Sequence, residues 1–233
     1  MKKEIVNKIQ YACYSPFVWL EMLINGISHT GISFWNGFPY FLKAKGSSIL
    51  IGNGCRFASR ETSNVLGLSR RCMLSTLSKD ASIIIGDGCS FSGTSIACAK
   101  SVQLKQNVRC GANVTIMDSD GHSDDYRSGE DSPIIIEDNV WLGTGVIVMK
   151  GSKIGRGALV GAGSVVRGVI PPYSIVVGNP PKIVGFSLTP EEVVEYELNN
   201  YEETERIPLS TLENNYNKYF ISRIKDIKQF TKL

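Results

Sequence analysis

Apolar side chains recur at every sixth position through the second half of the chain. An aliphatic residue occupies six successive positions at this spacing: Ile136, Leu142, Val148, Ile154, Val160 and Val166. Small or β-branched residues follow four places later, as at Val140 and Ala158. A period of six matches neither an α-helix nor a simple alternating strand. It predicts a chain that turns a corner after each short strand, so that three strands close one triangular coil of about eighteen residues.

The same pattern begins earlier, so coils are expected to form most of the chain. Ile51-Gly-Asn-Gly-Cys55 and Ile85-Gly-Asp-Gly-Cys89 repeat it, and further matches start at Leu104 and Cys110. We therefore predict a mainly β domain over residues 46–186, in which aliphatic residues fill the prism and glycines relieve the corners. The stretch 57–79 fits the register poorly. A glycine-rich β-sandwich with accidental spacing is the alternative, and six in-register aliphatic residues argue against it.

Both ends of the chain lack this pattern and are expected to be helical. Residues 1–45 are predicted to cap the first coil, and an amphipathic helix on a membrane surface is the alternative. The cap is favoured because Tyr14, Phe17 and Trp19 could belong to the core. Residues 187–233 open with Thr189-Pro-Glu-Glu, which supplies an N-cap, a first-turn proline and acids at the positive end of the helix dipole. Capping, a trimer contact and a partner surface are the roles considered for this extension.

Composition and cysteine usage narrow the functional classes. The chain carries 25 Lys and Arg against 22 Asp and Glu, a net charge of +3, which is too balanced for a protein that tracks nucleic-acid phosphates. The six cysteines form no CxxC pair, and the sequence shows no ligand set for a metal. No cleavable signal is recognisable, and the apolar run 11–24 is too short to span a bilayer. We therefore expect a cytoplasmic protein with reduced thiols and no metal.

The six-residue pattern breaks for one long polar loop, residues 117–133. This loop holds six acidic residues, Arg127 and one of the two histidines of the chain, His122. A coil stack gains nothing from extruding a loop, so the loop is expected to serve a function or an oligomer contact. Imidazole titrates near neutrality and is a suitable general base. A surface histidine without a catalytic role is the alternative.

The stretch from Pro133 to Gly185, PIIIEDNVWLGTGVIVMKGSKIGRGALVGAGSVVRGVIPPYSIVVGNPPKIVG, resembles a known family. It is similar to the left-handed β-helix hexapeptide acyltransferases, in particular the branch of maltose, galactoside and exopolysaccharide O-acetyltransferases. The resemblance implies a left-handed parallel β-helix of hexapeptide coils with helical N- and C-terminal extensions, and a homotrimer with sites between subunits. It further implies transfer of acetyl from acetyl-CoA to a sugar hydroxyl of a glycan or its precursor. An antibiotic acetyltransferase of the streptogramin or chloramphenicol type and a non-catalytic β-helix scaffold are the alternatives.

The resemblance also assigns roles to residues on the acceptor side. It makes His122 the general base, which would take the hydroxyl proton in a direct transfer without an acyl-enzyme. Asp118 or Asp120 would orient the ring, or would simply form turns. Ser92 stands where relatives often have an asparagine. The candidate acceptor-binding residues are Ser92, Asp118, Asp120, Tyr126 and Trp141, the last either stacking on substrate or packing near the cleft.

On the donor side, the resemblance places the pantetheine arm of acetyl-CoA against backbone groups of stacked turns. Thr144 and Ala162 are eighteen residues apart, and hence one coil above each other, with Gly143 and Gly163 beside them. A purely structural need for small residues in turns would look the same in the sequence. The basic side chains expected near the nucleotide phosphates are Arg167 and Lys182, and ordinary surface charge is the alternative for both.

Overall fold

The computed structural model describes residues 2–122 and 124–218, and within them the chain is a left-handed parallel β-helix with three faces. Sheet A contains β1 (Ser28–His29), β4 (Ser48–Ile51), β7 (Ser82–Ile85), β10 (Ser101–Leu104), β13 (Ile134–Ile136), β16 (Lys153–Ile154) and β19 (Val169–Ile170). Sheet B contains β2 (Phe34–Asn36), β5 (Arg56–Ala58), β8 (Ser90–Ser92), β11 (Arg109–Ala112), β14 (Trp141–Leu142), β17 (Leu159–Val160), β20 (Ser174–Val177) and β21 (Lys182–Phe186). Sheet C contains β3 (Tyr40–Lys43), β6 (Met73–Thr76), β9 (Ser95–Cys98), β12 (Thr115–Met117), β15 (Ile147–Val148) and β18 (Val165–Val166).

The strands stack in the register that the six-residue period predicts. The chain passes from sheet A to B to C in each coil, and every strand pairs in parallel with its counterpart one coil away, except that β21 returns antiparallel to β20. Leu142 pairs with Val160, its partner eighteen residues on. All six aliphatic residues of the repeat are fully buried. Because each would expose its side chain in an open sheet, this burial stabilises the stack by roughly 1.5–3 kcal/mol per residue.

The first coils are filled by aromatic rather than aliphatic side chains. Trp35 stacks on Phe57 with ring centroids 4.0 Å apart, and Phe57 stacks on Phe91 at 4.8 Å. Residues 57–79 fit the six-residue register poorly because they include an insertion. After β5 the chain leaves the prism at the corner between sheets B and C and returns at β6, and this excursion includes a single 3₁₀ turn, Glu61–Ser63. Such an insertion shifts the six-residue count without disturbing the stack on either side of it.

The N-terminal helix is one continuous element, α1 (Lys2–Ile24), which lies across the open end of the first coil. Val18 and Met22 are buried against the core, and Tyr14 packs beside them. Phe17 and Trp19, which the sequence suggested as core, are instead 63% and 40% exposed. The first coil begins at β1, so the predicted cap segment, 1–45, contains the three strands of that coil as well as the helix. Among the described residues, no helix has both the length and the apolarity needed to cross a bilayer.

The C-terminal extension packs against the corner between sheets A and B. Thr189 is the predicted N-cap of helix α2 (Pro190–Asn200), and it forms a reciprocal pair of hydrogen bonds with Glu192. Glu197 of this helix is buried and accepts hydrogen bonds from Arg156 Nη1 at 2.8 Å and from the Tyr173 hydroxyl. These bonds join the helix to the coils. Residues 209–218 form a further helical segment, and the rest of the predicted extension, 219–233, lies outside the described residues.

Candidate active site

The polar loop leaves the prism after β12, at the corner where sheet C gives way to sheet A. Its two ends are held together at the base, because Ser132 N donates to the Asp118 carbonyl at 3.0 Å. The coil above holds the same point, since Gly151 N donates to the Ser132 carbonyl at 3.0 Å. The loop therefore projects from a fixed base on one edge of the prism.

Asp118 is the residue that fixes this base. Its carboxylate is fully buried and accepts three backbone N–H groups of the coil below, from Ala99 at 2.6 Å, Lys100 at 2.8 Å and Ser101 at 2.7 Å. The Cys98 thiol donates to the same carboxylate at 3.4 Å. Burial and the Asp118 charge raise the pKa of Cys98 to about 12, so that this thiol keeps its proton. The sequence-based role of Asp118 in binding acceptor or orienting the imidazole is wrong, because its oxygens are occupied inside the protein.

A lysine from the next coil ties the two limbs of the loop together. Lys150 Nζ lies 2.6 Å from Asp120 Oδ2 on the first limb and 2.8 Å from the Gly129 carbonyl on the second. The hydrogen bond from Lys150 lowers the pKa of Asp120, with a smaller contribution from Arg167 nearby. Asp120 is therefore an ionised anchor of the loop. Lys150 was not recognised from the sequence, where only its position at the corner after β15 could have suggested this contact.

His122 lies exposed in the outer part of the loop. Its carbonyl accepts a hydrogen bond from Asp125 N at 3.1 Å, which forms a local turn. The Asp125 carboxylate is bound by the Arg127 guanidinium at 2.9 Å and not by a neighbouring coil. Tyr126, a predicted acceptor-binding residue, is 96% exposed at the tip. In one chain the imidazole thus faces open solvent on a loop whose base is rigid.

Thr144 and Ala162 lie on a different edge of the prism, the corner between sheets B and C. They are stacked one coil apart as predicted, because Gly163 N donates to the Thr144 carbonyl at 2.8 Å. Among the hydrogen bonds of the described residues, the N–H groups of Thr144 and Ala162 have no acceptor. A side chain at Gly143 would bring its Cβ within 2.6 Å of Ala162 N. The glycine thus permits close stacking, and two unpaired donors remain at coil spacing on this edge.

The same edge continues upward to Lys182. Gly178 N donates to the Ser164 hydroxyl at 2.9 Å, which seats the turn between β20 and β21 directly above Ala162. Lys182 follows this turn, pairs in register with Val177 and is exposed. Arg167, the other predicted phosphate contact, follows β18 at the opposite end of sheet C, close enough to Asp120 to affect its pKa. The structure thus groups Lys182 with Thr144 and Ala162, and Arg167 with the loop.

The remaining two candidates lie on sheet B. Ser92 is half-buried at the end of β8, where its carbonyl accepts from Asn113 N at 2.8 Å. Beside it, Arg70 from the excursion after β5 donates to the Gly93 carbonyl at 3.1 Å. Trp141 opens β14 and is 53% exposed near the corner with sheet A. Neither residue meets His122 within one chain, because the body of the prism lies between sheet B and the loop.

Apart from Ser92 and Trp141 on sheet B, the candidate residues thus form two half-sites at opposite edges of sheet C. The edge with Thr144, Ala162 and Lys182, the donor edge, carries unpaired hydrogen-bond donors and a cation. The edge with His122 carries the candidate base. A strand and its turns span five to six residues, so the two edges are roughly 15–20 Å apart at about 3.3 Å per extended residue. One chain therefore cannot bring its own imidazole to its own donor edge. The two half-sites can meet when sheet C of one copy lies beside a second copy.

Comparison with known proteins agrees with this architecture. The family model described as bacterial transferase hexapeptide (six repeats) matches residues 133–168, which confirms the family resemblance for these coils. A "putative acetyltransferase" of Schizosaccharomyces pombe is 41% identical over 35% of this chain and 41% of its own length. The Escherichia coli protein named "putative lipopolysaccharide biosynthesis O-acetyl transferase WbbJ" is 39% identical over 38% of this chain and 52% of its own length. The chain thus spans about half the length of these curated relatives.

A solved structure extends the likeness of fold beyond the matched coils. AntD, an N-acyltransferase from Bacillus cereus in complex with dTDP and coenzyme A, aligns over 77% of this chain and 94% of its own with a TM-score of 0.56. At 16% sequence identity, this likeness shows the fold alone. No group of three His, Cys, Asp or Glu side chains is arranged to hold a metal ion anywhere in residues 2–122 and 124–218.

Proposed function

We propose that this chain is an acetyl-CoA-dependent O-acetyltransferase that modifies a sugar hydroxyl of a glycan or glycan precursor. The observation that carries the proposal is the pair of unpaired, coil-spaced donors at Thr144 and Ala162, together with a histidine loop on the other edge of the same sheet. The curated relatives are named as acetyltransferases, one of them in lipopolysaccharide biosynthesis. All six cysteines are free thiols, in keeping with a reducing compartment, for which we propose the cytoplasm.

The active form is proposed to be a homotrimer with three sites between subunits. The outward-facing residues of β9, β12, β15 and β18 on sheet C are uncharged and partly exposed: Ser95, Ala97, Thr115, Met117, Ile147 and Val165. An uncharged face of this kind suits contact with a second copy, because no ion has to lose its water. A cyclic arrangement brings the His122 edge of each copy to the donor edge of the next. The site is then complete only in the assembly.

The proposed chemistry is a direct transfer. Acetyl-CoA is held along the donor edge, with amide oxygens of its pantetheine arm accepting from Thr144 and Ala162 N–H, and with Lys182 near its phosphates. A His122 ring nitrogen takes the proton of the sugar hydroxyl as its oxygen attacks the thioester carbonyl. The C–S bond then breaks, and the imidazolium returns the proton to the departing thiolate. A positioned backbone N–H stabilises the oxyanion in between. Arg167 and Asp120 act on this loop as charges that hold it.

The first test measures release of free CoA thiol with acetyl-CoA and a panel of saccharides, with streptogramin and chloramphenicol as further acceptors. We expect His122→Ala to lower kcat by about 10²–10⁴-fold, the usual contribution of a general base. The matched control is His29→Ala, because His29 is the other histidine, is also exposed and stacks on Trp19 far from the loop. Equal activity of His122→Ala and wild type would disprove the mechanism. Turnover of the antibiotics in place of saccharides would reassign the acceptor.

A second test addresses the shared site. Ala162→Trp is designed to cover the donor edge, and the exposed position of Ala162 leaves room for the larger side chain. When this variant and His122→Ala are co-expressed, each inactive chain supplies the half-site that the other lacks. Random assembly at equal amounts gives intact sites at about a quarter of the interfaces. Activity near that fraction is the expected result, and a mixture as inactive as its parents would contradict a site between subunits.

A further inference from the structure

The outer face of helix α1 is apolar at every exposed position that the structure describes. Between residues 11 and 24, the exposed side chains are Ala12, Cys13, Pro16, Phe17, Trp19, Leu20, Leu23 and Ile24. The largest exposed fractions are 76% for both Leu23 and Ile24. The opposite face of the same helix, with Val18 and Met22, is already packed on the coils. The helix therefore has a second apolar face, which does not pack on the coils.

This apolar surface extends beyond the helix onto the first coil. Phe38 is 48% exposed and packs edge-on against Tyr14 at 5.1 Å and near Phe17 at 6.5 Å. On the other side of the helix, Ile32 is 55% exposed. A shallow cavity of about 370 Å³ opens between Trp19 and Ile32. A continuous apolar patch of this kind on a protein surface marks an interaction site.

Three cations lie beside the patch. The Lys43 ammonium lies 3.9 Å from the point that a Cβ would occupy at Gly26, two residues after the end of α1. The guanidinium of Arg56 is close enough to Tyr11 to oppose the rise of the pKa of Tyr11 that burial causes. Arg71 acts in the same way on Glu21, the one acidic residue between 11 and 26. Residues 2–10 add three lysines and one glutamate to the sequence at this end of the chain.

We propose that the outer face of α1 binds the surface of an anionic phospholipid membrane. Aromatic and aliphatic side chains on a helix flanked by cations have the chemistry of an interfacial anchor, which combines apolar burial at the headgroup boundary with attraction to anionic lipid. The position of α1 at the end of the prism also suits membrane binding. Copies that pack side by side along sheet C leave their α1 helices together on one end of the assembly, so that they meet a flat surface at once.

A second copy of this chain fits the face less well. A two-fold contact would pair the patch with itself and bring the cations of both copies, including Arg56 and Arg71, into one interface. The repulsion between these like charges opposes such pairing, and it becomes an attraction when the opposing surface carries phosphates. The charge around the patch therefore favours lipid as its occupant.

The test uses the whole 233-residue chain and co-sedimentation with two kinds of vesicle, phosphatidylcholine alone and phosphatidylcholine with about 30% phosphatidylglycerol. We expect binding to the anionic vesicles that weakens as salt rises from about 0.1 M to about 0.5 M. In the double variant Leu23→Glu with Ile24→Glu, the partition coefficient should fall at least tenfold. Both side chains are largely exposed, so thermal unfolding should stay unchanged.

The matched control is Leu198→Glu with Leu209→Glu. These leucines are 55% and 53% exposed on the C-terminal extension, and the control adds the same two charges. We expect it to bind vesicles as the wild type does. Failure of the wild type to sediment with anionic vesicles, or equal binding by both double variants, would overturn the proposal. Light scattering that shows the α1 variant alone splitting a larger assembly would assign the face to a second copy instead. Acetyl transfer is measured separately and does not decide the outcome.

Discussion

Replacing Asp118 by asparagine tests whether the base of the histidine loop is held by a buried charge. The carboxylate accepts three backbone N–H groups at 2.6–2.8 Å and a thiol at 3.4 Å. Asparagine has nearly the same shape but keeps one acceptor oxygen. In its best orientation that oxygen serves Lys100 and Ser101, and the new amide group then faces Ala99 N–H, donor against donor. One buried donor is left without a partner, and two hydrogen bonds lose their charge.

The cost follows from these contacts. An unsatisfied buried donor costs about 1–3 kcal/mol, and each remaining bond that changes from charged to neutral loses roughly 0.5–1.5 kcal/mol. Relief from burying a charge offsets part of this sum. We therefore expect the free energy of unfolding to fall by about 3 kcal/mol. For a chain of this size, 1 kcal/mol shifts Tm by about 2–4 °C, so Tm should drop by about 6–12 °C.

The assay is thermal unfolding followed by circular dichroism, together with the kinetics of CoA release. Because the base of the loop should move when the hydrogen bonds of the Asp118 carboxylate are lost, kcat should fall more than tenfold even though His122 is intact. Asp124→Asn is the control, since Asp124 is an exposed carboxylate in the same loop and the same chemical change there should cost less than about 0.5 kcal/mol. A difference of 2 °C in Tm is about the shift expected for 0.5 kcal/mol. A Tm for Asp118→Asn within about 2 °C of the Asp124→Asn value would therefore refute the claim that the buried Asp118 carboxylate stabilises the base of the loop.

Two further predictions follow from the packing. Gly143→Ala should lower Tm more than Gly145→Ala, although Gly145 has the left-handed φ of 67°. The reason is that Cβ at Gly143 meets Ala162 N at 2.6 Å, whereas nothing lies within 4 Å of Cβ at Gly145, and calorimetry of both variants checks the order. In native protein at pH 8, an aromatic disulfide reagent should modify one thiol per chain and none in Cys13→Ser, because Cys13 is the exposed cysteine and the other five are buried. With its pKa raised to about 12, Cys98 is protonated at pH 8 and below and forms thiolate only as pH rises towards that value, so rapid reaction of a second thiol would contradict this burial.

Much of the fold could be predicted because the repeat is local. Each aliphatic residue of the repeat, such as Leu142, can be assigned to the core from the six-residue spacing of its neighbours in the sequence. Because each coil packs only on the next, the same assignment holds for every coil. The place of the histidine loop was predictable for the same reason, as an interruption of a regular count. The excursion after β5 could not be predicted. It interrupts the six-residue spacing where the repeat is already weak, so the sequence does not show where the chain leaves the coil and where it returns.

The sequence by itself determined the three-sided coil, the stacking of Thr144 beneath Ala162, and the exposure of one histidine on a loop, since all three depend on spacing along the chain. Only the tertiary structure decided which edge of the prism each group occupies and what each acid touches. Asp118 and Asp120 stand two residues apart and look alike in the sequence. One is buried under three backbone amides of the coil below, and the other reaches Lys150 of the coil above. Their partners are seventeen to thirty residues away, and contacts at that separation are fixed by how the coils stack.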